Sequence, residues 1–131
     1  MAQQPIELIL TRQWASYLTM PVFVADADGN LLYYNEAAEE LLGRRFDEAG
    51  EMPLLELANI FQITHEDGSA MQPLEMPLGI ALLERKPAHG RVGFKGLDGI
   101  IHMIEVTSFP LEGQGGRHLG ALAIFWEVEC S

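Results

Sequence analysis

The groups able to do chemistry are few and scattered along this chain. Four histidines, one cysteine and nineteen acidic side chains occur among 131 residues. General acid–base catalysis would need a carboxylate inside an apolar cavity, where desolvation retunes its pKa. Glu105 is the only acid central to an expected strand, and alternation puts it on the outer face. Asp26, Asp28, Glu36, Glu39 and Glu40 lie close in sequence, but their spacing follows turn and helix-start chemistry and lacks an oxygen-ligand loop signature. Cys130 is the single cysteine, so neither an intramolecular disulfide nor a thiolate metal site is expected. One terminal cysteine also fits a reducing, cytoplasmic compartment. Neither a Ser–His–Asp order, a phosphate loop nor a metal-hydrolase motif occurs. His65 and His118 fall in turn-like segments, and His89 in the loop Pro87-Ala88-His89-Gly90. His102 is different. It opens a long strand, where an imidazole can donate or accept near neutral pH. The inventory predicts no catalytic residue and no metal ligand set.

The elements that must position these groups are legible from periodicity. Ile6, Ile9, Leu10, Trp14, Tyr17 and Leu18 recur at threes and fours, one face of an amphipathic helix over Pro5 to Leu18. Val22–Ala25 and Leu31–Tyr34 read as strands about the turn Asp26-Ala27-Asp28-Gly29-Asn30, where Gly and Asn tolerate positive φ. Asn35 is a good N-cap for a helix that stops at Gly43. One or two short helices are expected around Leu54, Leu55, Leu57, Ala58, Ile60 and Phe61. Pro77 can start a helix running from Leu78 to Arg85. Strands follow over Arg91–Lys95, Ile100–Phe109 (ended by Pro110) and Leu119–Val128. Helices and strands in separate runs imply an α+β domain with an antiparallel sheet.

Length is that of one domain, and a 48% hydrophobic content supports a real core. A formal net charge of −11 argues against direct nucleic-acid binding and against docking on anionic lipid. No apolar run of about 18 residues exists to span a membrane, and the first residues lack the pattern of a signal peptide.

Several pieces occur in a telling order. They are Asp26-x-x-Gly29, Asn35 opening a helix that ends at Gly43, and Asp67-Gly68 ahead of Pro77-Leu78. After these come Asp98-Gly99 before a strand ending in Pro110, a Gly-rich hairpin, and Leu119-Gly120-Ala121. From about Met20 to Val128 this order resembles the PAS sensory domain. The resemblance implies a PAS fold with a five-stranded antiparallel sheet and helices on one face. Residues 20–131 would be the PAS domain, and 1–19 an amphipathic flanking helix.

By analogy with flavin-binding relatives, one sheet face would line a ligand cavity through Phe23, Ala25, His102, Ile104, Val106, Ser108, Leu122, Ile124 and Trp126. Ser108 would be the small polar group orienting a ligand. Of the adjacent Tyr33 and Tyr34, one would face inward. The other face, with Val24, Met103, Phe109 and Phe125, would be covered by the helix bearing Ile6, Ile9, Leu10, Trp14 and Tyr17, within the chain or across a homodimer.

PAS relatives with cofactors carry residues that this chain lacks. There is no reactive cysteine in the central helices for a flavin photoreceptor, and no histidine on the helix Leu78–Arg85 for haem. No cofactor is expected, and an unidentified small, mostly apolar ligand is. The implied function is a sensory or protein-interaction module of bacterial-type signalling, feeding an unidentified partner or transcriptional regulator. A ligand-free dimerisation adaptor is the alternative, and a small cone-shaped α+β enzyme a distant third.

Overall fold

The computed structural model describes residues 6–15, 17–42, 51–53, 56, 59, 62–72, 75–95 and 99–128. Helix α1 (Ile6–Ala15) is followed by strands β1 (Val22–Asp26) and β2 (Asn30–Tyr34), helix α2 (Glu36–Leu42) and a two-residue strand β3 (Met52–Pro53). Helix α3 (Pro77–Glu84) then leads into β4 (Ala88–Lys95), β5 (Ile101–Glu112) and β6 (His118–Val128). The sheet is antiparallel in the order β3-β2-β1-β6-β5-β4. It has six strands where five were expected, because Met52 and Pro53 pair with Leu31 and Asn30. Gly43, the segment around Leu54 to Phe61 apart from Glu56 and Asn59, and Cys130 fall outside the described residues, as does the side chain of Ile6.

The first hairpin is held by its own turn residues. One carboxylate oxygen of Asp26 accepts from the N–H groups of Asp28 and Asn30, each at 3.0 Å. Gly29 takes φ +86°. Asn35 does more than cap α2. Its Oδ1 accepts from Ala38 N–H and from Val22 N–H, both at 3.1 Å. Its Nδ2 donates to the carbonyls of Met20 (2.8 Å) and Leu18 (3.3 Å). One fully buried amide therefore joins the segment after α1, the start of β1 and the start of α2.

Three boundaries differ from expectation for identifiable reasons. Helix α3 ends at a left-handed Arg85 (φ +54°) whose N–H returns to Ala81 O. The chain is thereby turned early enough for β4 to start at Ala88, so His89 is a strand residue and not a loop histidine. Pro110 lies inside β5. Thr64 and Gly93 exchange both backbone hydrogen bonds on the far side of β4, so even-numbered residues of β4 and β5 bond to each other. Position 110 thus points its missing N–H toward β4, which has already ended opposite Ser108. A proline is tolerated at such an edge position. His118 begins β6 and is half-buried, with neither ring nitrogen hydrogen-bonded among the described residues, where a solvated turn residue was expected.

Each sheet face carries a core. The inner one packs Ala25, Leu31, Tyr34, Ala121, Ala123 and Phe125 with Leu42 of α2 and Leu78 and Ala81 of α3. The outer one packs Val22, Val24, Leu32, Leu119 and Leu122 around Leu8 of α1. A bulge in the β1–β2 pairing lets Leu32 and Tyr33 both join the outer cluster, which leaves Tyr34 as the inward, fully buried tyrosine.

Candidate functional site

Between the inner sheet face and the helices lies a small chamber of about 40 Å³. The sheet supplies Phe23, Val92, Phe94, Ile104, Val106, Ala123 and Phe125. Leu42, Met76 and Leu78 close the helical side, with Ile63 and Pro77 between. Among the described residues every lining side chain is apolar. Phe23 and Phe125 meet edge to face at 4.8 Å, and Phe23 also leans on Tyr34 at 5.6 Å, so the aromatic wall is mutually braced.

Cross-strand pairing decides which expected residues reach this face, because directly opposed residues share a face. Ser108 pairs with Ala123, and Val106 with Phe125. Phe23, Ala25, Ile104, Val106 and Ser108 are therefore on the inner face, as expected. Leu122, Ile124 and Trp126 are not: Leu122 and Ile124 pack in the outer cluster, and Trp126 stands opposite Glu105. Phe125, expected outside, is a chamber wall. The error has a physical origin. Strand β6 is apolar on both faces, so alternation cannot choose between them. Val24 and Phe109 lie on the outer side as expected. Met103 shares their face but sits at the far end of β5, beside Thr64 rather than beneath α1.

His102 is at the far end of the inner face. Its ring stacks on Phe94 (centroids 5.0 Å, planes 16° apart), and Nδ1 lies 2.7 Å from Oε2 of Glu127. Phe94, absent from the expected set, forms the chamber wall there. Its signal in the sequence was the pair Val92 and Phe94 at strand spacing. Met76 and Leu78 gave no such signal.

Ser108 is fully buried, and its Oγ has no hydrogen-bond partner among the described residues. A buried unsatisfied hydroxyl costs about 1–3 kcal/mol. Ser108→Ala is expected to raise folding stability by about 1 kcal/mol in urea denaturation. A loss of stability instead would mean that the hydroxyl has a bonding partner in solution.

At His89, Arg91, Glu105 and Thr107 the outer face of β4 and β5 is polar. Directly opposed pairs that do not hydrogen-bond through the backbone bring their side chains closest. His89 Nδ1 and Thr107 Oγ1 are accordingly 2.7 Å apart, and Arg91 Nη2 and Glu105 Oε1 are 3.4 Å apart. Glu105 is thus an outer-face ion-pair partner, as alternation implied. Beyond β4, residues 63–71 form a small hairpin that Thr64 clips to Gly93. Asp67 sits at its tip. Its carboxyl is held below the usual range, first by the Ser69 hydroxyl and then by the Ser69 N–H. Glu75 is likewise lowered, mainly by the Gln72 N–H, with His65 at 2.9 Å adding to it. No group of three metal-ligating side chains occurs among the described residues. No helix among them is long and apolar enough to cross a membrane.

An antiparallel sheet with α2 and α3 on one face, α1 on the other and a small apolar chamber on the inner side defines an α+β domain. The family model described as the PAS fold matches residues 16–129, and the chain belongs to that family. Among solved structures, the PAS domain of a Colwellia psychrerythraea protein is similar. It has 22% identity and a TM-score of 0.67, with 93% of this chain and 97% of that one covered. The PAS domain of nitrogen regulation protein NR(II) from Vibrio parahaemolyticus has 22% identity and a TM-score of 0.64, covering 91% and 98%. An RNA-binding light-oxygen-voltage receptor has 20% identity and a TM-score of 0.69, covering 94% of this chain and 33% of that one. No curated protein shows significant sequence similarity. At these identities the likeness is one of fold.

Proposed function

We propose that this chain is a non-catalytic signalling PAS module whose chamber takes only a very small apolar guest. The observation that carries this reading is the chamber itself, about 40 Å³ and lined, among the described residues, by apolar side chains alone. Pockets for drug-sized ligands and cofactors run to roughly 300–1,000 Å³, so a flavin or haem would require the helices to move apart. Among the described residues no lining side chain can act as an acid, base or nucleophile, which supports binding over catalysis. The protein is expected to be colourless as purified, and native mass spectrometry of fresh protein to give a mass within a small guest of the bare chain. A flavin or Soret band would sink this reading.

A second observation favours assembly as a homodimer. Among the described side chains of α1, Leu8 is buried on the sheet, while Ile9, Leu10 and Trp14, and Tyr17 beyond the helix, are half or more exposed. These four belong to the apolar face expected from the sequence, and such a patch calls for a cover. Sedimentation at tens of micromolar is expected to give a dimer that Trp14→Asp converts to monomer. A wild-type monomer would refute this second reading and leave the chamber reading intact.

A further inference from the structure

The outer sheet face gathers a hydroxyl, an imidazole and a carboxylate that neither the chamber nor the α1 patch uses. Thr107 of β5 stands opposite His89 of β4, and Glu105 opposite Arg91. These four side chains share one face, with His89 and Glu105 on its diagonal. Thr107 Oγ1 lies 2.7 Å from His89 Nδ1, and Glu105 Oε1 lies 4.0 Å from His89 Nε2. Arg91 Nη2 is 3.4 Å from the same Glu105 oxygen. Among the described residues, Glu105 and Arg91 are the charged groups within ion-pair reach of this cluster.

These contacts set the direction of the hydrogen bonding. A neutral imidazole carries one N–H and one acceptor nitrogen, and an ionised carboxylate only accepts. Glu105 therefore favours the tautomer with its proton on Nε2. At 4.0 Å it orients the ring by charge, without a hydrogen bond. Nδ1 is then the acceptor, and the Thr107 hydroxyl donates to it. A hydroxyl bonded to an acceptor imidazole, itself oriented by a third group, is the arrangement of an activated nucleophile.

The cluster is also accessible. The side chains of His89 and Arg91 are 54% and 43% exposed. Half-buried Trp126 of β6 stands opposite Glu105, and its ring centroid is 6.2 Å from that of His89. An indole beside the imidazole offers a flat apolar surface on which the aryl part of a reactant can lie.

We propose that Thr107 is a covalent modification site whose hydroxyl accepts the acyl group of an apolar activated ester. Thr107 Oγ1 bonds to the acyl carbon as the carbon–oxygen bond to the leaving group breaks. The hydroxyl proton passes to His89 Nδ1 and from there to the departing oxygen, so the ester is the one co-reactant. The product is an O-acyl threonine on the outer sheet face. Thr107 and His89 touch the reacting atoms, and Glu105 is a positioning residue. The modification is one event per chain, and it holds or fails independently of what the chamber binds.

The test incubates the full chain with p-nitrophenyl acetate and follows nitrophenolate release. An acid quench and peptide mass spectrometry then locate the acetyl group. A burst equimolar with the chain is expected, with the acetyl group on Thr107. Its rate should rise between about pH 5 and 8, as an imidazole loses its proton. His89→Gln should abolish that rise and slow acetylation of Thr107 by at least about a hundredfold, the lower end for a positioned general base. Glu105→Gln should slow it less and keep the rise with pH. Thr107→Val keeps the branched shape a strand favours and should abolish the burst, while Thr107→Ser should restore it. An unchanged far-ultraviolet spectrum checks the folding of each variant. Acetyl groups found on amines or on His89 without Thr107 would overturn the proposal. So would equal labelling of Thr107 in the wild type and in His89→Gln.

Discussion

Replacing Asn35 by alanine is expected to lower folding stability by about 3–5 kcal/mol, a large share of the roughly 5–15 kcal/mol that a domain of this size has. Loss of an N-cap alone costs about 1 kcal/mol. The excess comes from the strand side. Without the amide, the buried N–H of Val22 and the carbonyl of Met20 lose their partners, along with the Ala38 N–H of the cap itself. Each buried group left unsatisfied costs about 1–3 kcal/mol. Asn35→Asp separates the contributions. It keeps an acceptor for Val22 and Ala38, but sets a carboxylate oxygen against the carbonyls of Met20 and Leu18. An intermediate loss is expected, with faster amide exchange in the segment joining α1 to β1. Urea titration followed by tryptophan fluorescence measures both variants. A loss of only about 1 kcal/mol for Asn35→Ala would reduce the residue to a cap.

Gly120→Ala is expected to be as damaging or worse, at least about 4 kcal/mol, the range reserved for steric conflict in the backbone. At φ +152° the residue occupies a region that side chains avoid, and a Cβ there would stand 2.0 Å from Ala25 O and 3.0 Å from Asp26 Cα. Both obstacles are backbone atoms of the neighbouring strand, so β1 and β6 would have to separate. Two other glycines provide the scale. Gly93→Ala meets Thr64 Oγ1 at 2.7 Å, a side chain that can rotate away, and should cost about 1–2 kcal/mol. Gly29→Ala meets nothing within 4 Å, and only its positive φ is at issue, for about 1 kcal/mol. Thermal melts of the three variants should fall in that order. Gly120→Ala as stable as Gly29→Ala would mean that the strands are spaced differently in solution.

The parts of this fold that could be read ahead of the structure are those fixed by local chemistry. Asp26 and Gly29 specify a turn, Asn35 specifies a helix start, and the spacing from Ile6 specifies a helix, which ends at Ala15 and not at the expected Leu18. Ile104 and Val106 were placed correctly because β5 alternates apolar with polar residues. What could not be read depends on partners distant in sequence. Whether Phe125 or Trp126 faces the chamber depends on the register of β6 against β5. The strand character of His89 depends on where a left-handed Arg85 releases the chain. The second set of bonds made by Asn35 depends on the return of Leu18 and Met20 to its side.

Strand β6 buries apolar side chains on both faces, so sliding it by one residue would cost little through burial alone. The backbone forbids the slide. A one-step shift would bring Leu119 or Ala121, each with a Cβ, to the place where that atom would lie 2.0 Å from the Ala25 carbonyl. Gly120 thus acts as the notch of a keyed joint. It rejects the neighbouring registers by collision, and so proofreads a strand whose hydrophobic pattern could not tell right from wrong.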